Sequence, residues 1–177
     1  YRSGHLARLD DDGRRSLAEL GIRRVIDLRA DEEVAHSPSR LDGLAVDTQR
    51  VPLFLGSVES LFAQDLSLSE MYRSIVDDSA LAVAAVVRGV LVDQPVIVHC
   101  TVGKDRTGVT VALTLAAAGV EHAAIVADYA RTESLLPAER NRQIARWLRS
   151  QHPEAVNVID LATRPPDHVM HDLLSDV

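Results

Sequence analysis

Residues 95–119 constrain this chain more than any other stretch. Pro95 opens a continuous apolar run, Val96-Ile97-Val98, of the kind found in a short strand covered on both faces. Thr101 to Asp105 is polar and contains Gly103, and Thr107 to Ala118 is then a nearly all-apolar helical stretch stopped by Gly119. A buried strand that passes through a tight loop into a buried helix belongs to an α/β fold. The expected architecture is a central, mostly parallel sheet flanked by helices, with a strand–loop–helix unit over 95–119.

The flanking sequence fits that frame. Leu9 to Leu20 reads as a helix, with Asp10, Asp11 and Asp12 at its N-terminus and Gly21 as its stop. Ile22 to Leu28 reads as a strand, Asp31 to His36 as a short helix, and Val46 to Leu53 as a second strand. Gly56 to Asp65 is expected to be a loop or lid. Ser67 and Glu70 match a capping box ahead of Leu68, Met71, Tyr72, Ile75 and Val76 at helical spacing. Ser79 to Val92, mostly Ala and Val, predicts a largely buried helix. Glu121 to Ala130 and Pro137 to Ser150 follow as helices, the latter expected to bury Ile144, Trp147 and Leu148, and Asp167 to Ser175 is the last. No repeat or composition shift marks a boundary, so 1–177 reads as one domain. With aromatics at 3%, Ala, Val, Leu and Ile must fill its core.

Charge and cysteine count narrow the function. A net charge of −7 argues against a nucleic-acid partner, which requires a basic footprint. Cys100 is the single cysteine, so the chain can form no internal disulfide and holds no cysteine cluster for zinc. No metal or cofactor is expected. No apolar run reaches the roughly 18–20 residues of a membrane span, and nothing near Tyr1 resembles a signal peptide. The expected location is the cytoplasm, or outside the cell without a visible signal. Because the chain opens on Tyr1 rather than Met, a missing N-terminal piece is expected.

The chemistry concentrates in His99-Cys100-Thr101-Val102-Gly103-Lys104-Asp105-Arg106-Thr107-Gly108. A helix starting near Arg106 directs unpaired N–H groups and its positive dipole end at the preceding loop. A short loop there can turn successive amides inward as an anion nest, and Gly103 permits the conformation required. Arg106 adds a planar fork for two phosphate oxygens. The same field stabilises a thiolate at Cys100, the nucleophile for a two-step transfer through phosphocysteine.

This Cys-x5-Arg stretch resembles the cysteine-dependent protein tyrosine phosphatase superfamily. Tyr1-Arg2-Ser3-Gly4-His5-Leu6, Leu20-Gly21-Ile22, Val25 to Arg29, Glu33 and Gly103 to Gly108 resemble its bacterial PtpB-like subgroup, over Tyr1 to about Thr132. That subgroup usually has further residues at each end, so both ends are expected to be incomplete. The resemblance implies hydrolysis of phosphotyrosine, with phosphoserine, phosphothreonine or phosphoinositide as further substrates. It implies Cys100 as nucleophile, Arg106 as phosphate binder, Thr107 as the hydroxyl that stabilises the departing thiolate, and His99 as a structural neighbour. Thr101 to Thr107, including Val102 and Lys104, would line the phosphate.

The general acid departs from the common pattern. Pro52 to Gly56, where a separate loop would carry it, holds no carboxylate. Asp105, inside the loop, is the acid expected here, with Asp65 and Asp47 as rivals. Lys104 is a candidate contact for a second phosphate or an acidic substrate, or else a solvated lysine. Asp27 and Arg29 read as a structural pair, and Arg142, Arg146 and Arg149, near Arg131 and Arg140, as a helix face that is either solvated, as is usual for such a run, or a dock for a phospholipid surface or a phosphopeptide. Oligomeric state is left open. Two alternatives stand beside the phosphatase reading: sulfur or arsenate transfer, disfavoured by the lack of a second thiol, and a phosphate-binding module without catalysis.

Overall fold

The computed structural model describes residues 1–53, 65–154, 157 and 166–176. Most of the segment read as a lid, Gly56 to Gln64, lies outside them. The described residues fall into two compact units, 1–54 with 79–114, and 55–78 with 115–177.

The first unit is built on a four-stranded, wholly parallel sheet. Its strands are β1 (Arg2–Ser3), β2 (Arg24–Asp27), β3 (Asp47–Arg50) and β4 (Val96–His99), in the order β1-β4-β2-β3. The expected α/β architecture is therefore present. Along β2 the side chains alternate between faces. Val25, paired with Ile97, joins Leu6, Leu17 and Ile22 in one buried cluster, so α1 (Asp11–Glu19) covers that face. Ile26 points the other way, where α4 (Ala80–Val92) comes so near at Gly89 that an added Cβ would lie 3.0 Å from the Ile26 side chain. All four residues of β4 are buried, as the apolar run requires.

The helix signals act as read. Asp10 Oδ1 accepts from the Gly13 N–H at 2.8 Å, and Gly21, at φ +64°, ends α1. The short α2 (Asp31–His36) follows β2, and α5 (Asp105–Ala117) follows β4. The start of α5 lies two residues before the expected Thr107, which puts Asp105 and Arg106 in its first turn.

In the second unit, α3 (Leu68–Asp78) begins at the reciprocal Ser67–Glu70 bonds. It is joined by α6 (His122–Leu135), α7 (Ala138–Gln151) and α8 (Asp167–Ser175). The Tyr72 and Tyr129 rings meet edge to face at 6.3 Å, with their hydroxyls hydrogen-bonded. No helix among the described residues is long and apolar enough to cross a membrane.

Two burial expectations are overturned. In α4 only Val83, Val86 and Gly89 are buried, while Leu81 is 85% exposed and Leu91 72%. One stripe of this helix is enough to cover the sheet. In α7 Leu148 is buried, but Trp147 is 57% exposed, because it sits one residue off the buried stripe. Val86→Ala should therefore cost about 2 kcal/mol and Leu81→Ala under about 0.5 kcal/mol, as read by urea denaturation of the two variants.

Candidate active site

Parallel strands bring their carboxyl ends to one edge of the sheet, where an α/β fold places ligands. β4 ends there at His99, and Cys100 to Lys104 make the turn into α5. Gly103 is the pivot, at φ +82°. A Cβ at this position would fall 2.5 Å from the Ser3 carbonyl oxygen, so β1 is a wall against which only glycine can turn. The His5 N–H donates to the Thr101 carbonyl at 3.1 Å and secures the loop's other side.

That turn aims an amide at the sulfur. The Gly103 N–H donates to Cys100 Sγ at 3.2 Å, and Cys100 is 3% exposed. His99 is fully buried, with Nδ1 3.1 Å from the Cys100 carbonyl and Nε2 3.7 Å from Asp27 Oδ2. Burial holds the imidazole below its ordinary pKa against the pull of Asp27. Because a carbonyl oxygen can only accept, Nδ1 is the donor of that contact. Thr107 is also fully buried, and its hydroxyl has no hydrogen-bond partner among the described residues. Lys104 is 1% exposed, with Nζ 3.4 Å from Asp105 Oδ1.

Arg106 is held by a partner that the sequence reading gave no role. Its Nη1 and Nη2 donate to the two oxygens of Glu33 on α2, at 2.6 and 2.8 Å. Glu33 also accepts from the Thr101 hydroxyl and, at 2.9 Å, from the Ala30 N–H. One carboxylate thereby ties the first turn of the loop to the first turn of α5. Burial alone would raise the Glu33 pKa, but the bonds from Arg106, Thr101 and Ala30 outweigh it and bring the group down to about 2. Burial opposes the charge of Arg106 as well, and Glu33 more than restores it, leaving its pKa raised. The local signal for Glu33 was an acidic residue in the first turn after the Asp27-Leu28-Arg29 strand end. Nothing in that spacing says that it reaches residue 106.

The rival acids separate. Asp47 pairs in register with Arg24, which also aligns with Val96, so it sits at the opposite end of the strands from Cys100, about 13 Å back along the strand direction at 3.3 Å per residue and two strands across. Its carboxylate engages Arg24 at 2.9 Å. Asp47 is therefore set aside as the acid. Asp65 belongs to the second unit, where Oδ1 accepts from the Asn157 N–H at 2.9 Å. Asp105 is the carboxylate next to the loop. Of the arginines on α7, Arg142 and Arg146 approach Glu139 at 2.7 and 3.5 Å. The described residues contain no cluster suited to a metal ion.

Comparison with known proteins places the chain in a family. The tyrosine phosphatase family is matched over residues 1–177, past the Thr132 at which the sequence resemblance fades. The chain belongs to that family. It is 35% identical over 175 residues to the triple specificity protein phosphatase PtpB of Mycobacterium tuberculosis, covering 80% of this chain and 63% of that protein. It is 38% identical over 138 residues to a tyrosine-protein phosphatase of Nostoc commune, covering 73% of this chain and 46% of that one. The chain thus spans about half to two thirds of the length of these relatives.

A depressed carboxylate contributes stability above its unfolded pKa and loses it as pH falls through the folded one. The Glu33 contribution should be complete above its ordinary value of 4.5 and fade toward about 2. Thermal melts across that window should show a shallower decline for Glu33→Gln than for wild type. Parallel declines would show that Glu33 is not held as described.

Proposed function

We propose that the chain is a cysteine-dependent phosphatase that hydrolyses phosphate monoesters through a phosphocysteine intermediate. The observation that carries this reading is the amide of Gly103 directed at Cys100 Sγ beside a guanidinium already aligned by Glu33. An anion in the cradle would receive the amides of Thr101 to Thr107 and the free edge of Arg106.

In the first step the Cys100 thiolate attacks phosphorus in line. The S–P bond forms, the bond to the leaving oxygen breaks, and Asp105 gives that oxygen a proton. In the second step Asp105 takes a proton from water, whose oxygen attacks phosphorus. The S–P bond breaks, and the Thr107 hydroxyl donates to the returning thiolate. That role gives the buried, unpartnered hydroxyl an acceptor. Arg106 and the amides stabilise the charge on the equatorial oxygens throughout.

The substrates assigned are phosphotyrosine proteins, with phosphoserine, phosphothreonine and phosphoinositide within reach of the same cradle. Triple specificity in the name of the mycobacterial relative supports that breadth. An anionic lipid surface is a further partner that exposed Trp147 and the α7 arginines suit.

Two variants test the chemistry. Cys100→Ser should lower turnover of para-nitrophenyl phosphate by at least about a thousandfold while orthovanadate binding stays measurable. Turnover within a few-fold of wild type would remove Cys100 as nucleophile. Orthovanadate binding by a wild type that does not turn over would identify the non-catalytic module instead. If Asp105 is the acid, Asp105→Asn should slow phosphotyrosine at least about tenfold more than aryl phosphates whose acidic phenols leave unaided. Equal slowing would reduce Asp105 to a loop brace, and leaving-group sensitivity in Asp65→Asn would transfer the role there.

A further inference from the structure

Asp27 and Arg29 form a buried ion pair that no step of the proposed reaction uses. Arg29 is 1% exposed and Asp27 3%. Arg29 Nε and Nη2 donate to the two Asp27 oxygens at 2.9 and 2.8 Å, and the Arg29 N–H donates to Oδ1 at 3.0 Å. A buried pair of this kind gains little over apolar residues of the same volume, so stability is a weak reason for its presence.

The remaining bonds of Arg29 lead toward the site. Nη1 donates to the Ser37 carbonyl at 2.7 Å, and Nη2 to Ser39 Oγ at 2.9 Å. Ser37 is the residue on which α2 ends, its N–H donating to the Glu33 carbonyl at 3.0 Å. At the other end of α2, Arg50 Nη2 donates to the Arg29 carbonyl at 3.0 Å and to Asp31 Oδ1 at 2.9 Å. A helix of six residues with no buried side chain has no packed face to fix its direction. Its aim, and with it the aim of Glu33 at Arg106, depends on these bonds.

We propose that Arg29, anchored by Asp27, is a positioning residue for anion capture, acting through α2 and Glu33 on the Arg106 guanidinium. The proposal rests on the reading of residues 99–108 as an anion-binding active site. It predicts a coupling between Arg29 and Glu33 that a mere fold brace would lack. Once Glu33 is gone, the aim of α2 no longer matters to Arg106.

The test is calorimetric titration of orthovanadate, with para-nitrophenyl phosphate kinetics in parallel. The variants are Arg29→Met, Arg29→Lys and Ser39→Ala, each alone and combined with Glu33→Gln. Arg29→Met should weaken orthovanadate binding about tenfold and Ser39→Ala about twofold, both losses shrinking to near nothing in the Glu33→Gln background. Arg29→Lys keeps the charge but not the fork, so it should recover thermal stability without recovering anion affinity. Unchanged orthovanadate affinity beside a lowered Tm would overturn the proposal, as would losses that add fully to that of Glu33→Gln. If Arg29→Met does not fold, the Ser39→Ala cycle decides alone. The two claims fail separately. Orthovanadate binding without turnover in wild type sinks the phosphatase reading and leaves the positioning claim to the affinities, whereas no binding by wild type overturns the positioning claim as well.

Discussion

The two-point bond between Glu33 and Arg106 is the constraint on which the rest of the site depends. A long guanidinium side chain left free at a loop mouth would lose rotamer freedom on meeting an anion, and that loss would weaken capture. Glu33 removes the freedom in advance, because its two oxygens match the guanidinium fork at 2.6 and 2.8 Å. Its further bond from the Thr101 hydroxyl ties the start of the loop to the same carboxylate. The counter-charge needed to bury the Arg106 guanidinium is thus supplied by the group that also shapes the loop.

The sheet explains why this closure is possible. β1 is only two residues long, yet its backbone stands where any side chain at position 103 would have to go. The loop turns tightly because Ser3 on one side and the start of α5 on the other leave no wider path. That path points the Gly103 amide at the Cys100 sulfur. Buried His99 then fixes the carbonyl of the same cysteine. Sulfur and guanidinium are therefore set by different supports, His99 and Gly103 for one, Glu33 and α2 for the other.

What was legible in the sequence was local. The β4 run, the Asp10 and Gly21 signals around α1, the short α2, the Ser67–Glu70 box and the residue types of 99–108 each act over a few positions, and each appears where its pattern puts it. Burial of α4 and of Trp147 is not legible in the same way, because apolar content does not by itself say which side is covered. Which stripe of a helix is covered depends on where the sheet or a neighbouring helix stands, and no single helix carries that information. The role of Glu33 is not local, because its bond to Arg106 spans 73 positions and follows from the parallel register of β2 with β4. The setting aside of Asp47 rests on that same register.

The placement of Asp105 gives the proposed reaction a particular character. An acid on a separate loop can approach or retreat without disturbing the cradle. Asp105 instead occupies the first turn of α5, one residue from Arg106 and within 3.4 Å of the Lys104 ammonium. Whatever orders the phosphate loop orders this carboxylate too. Anion capture and proton delivery would then be prepared by a single set of contacts, with no closing motion to join them. The corresponding cost is sensitivity: a change at the Ser3 wall would disturb sulfur and acid together, while one that loosens α2 would reach the guanidinium through Glu33. With cradle and acid on one loop and one helix turn, such a site would have both in place before a phosphate arrives.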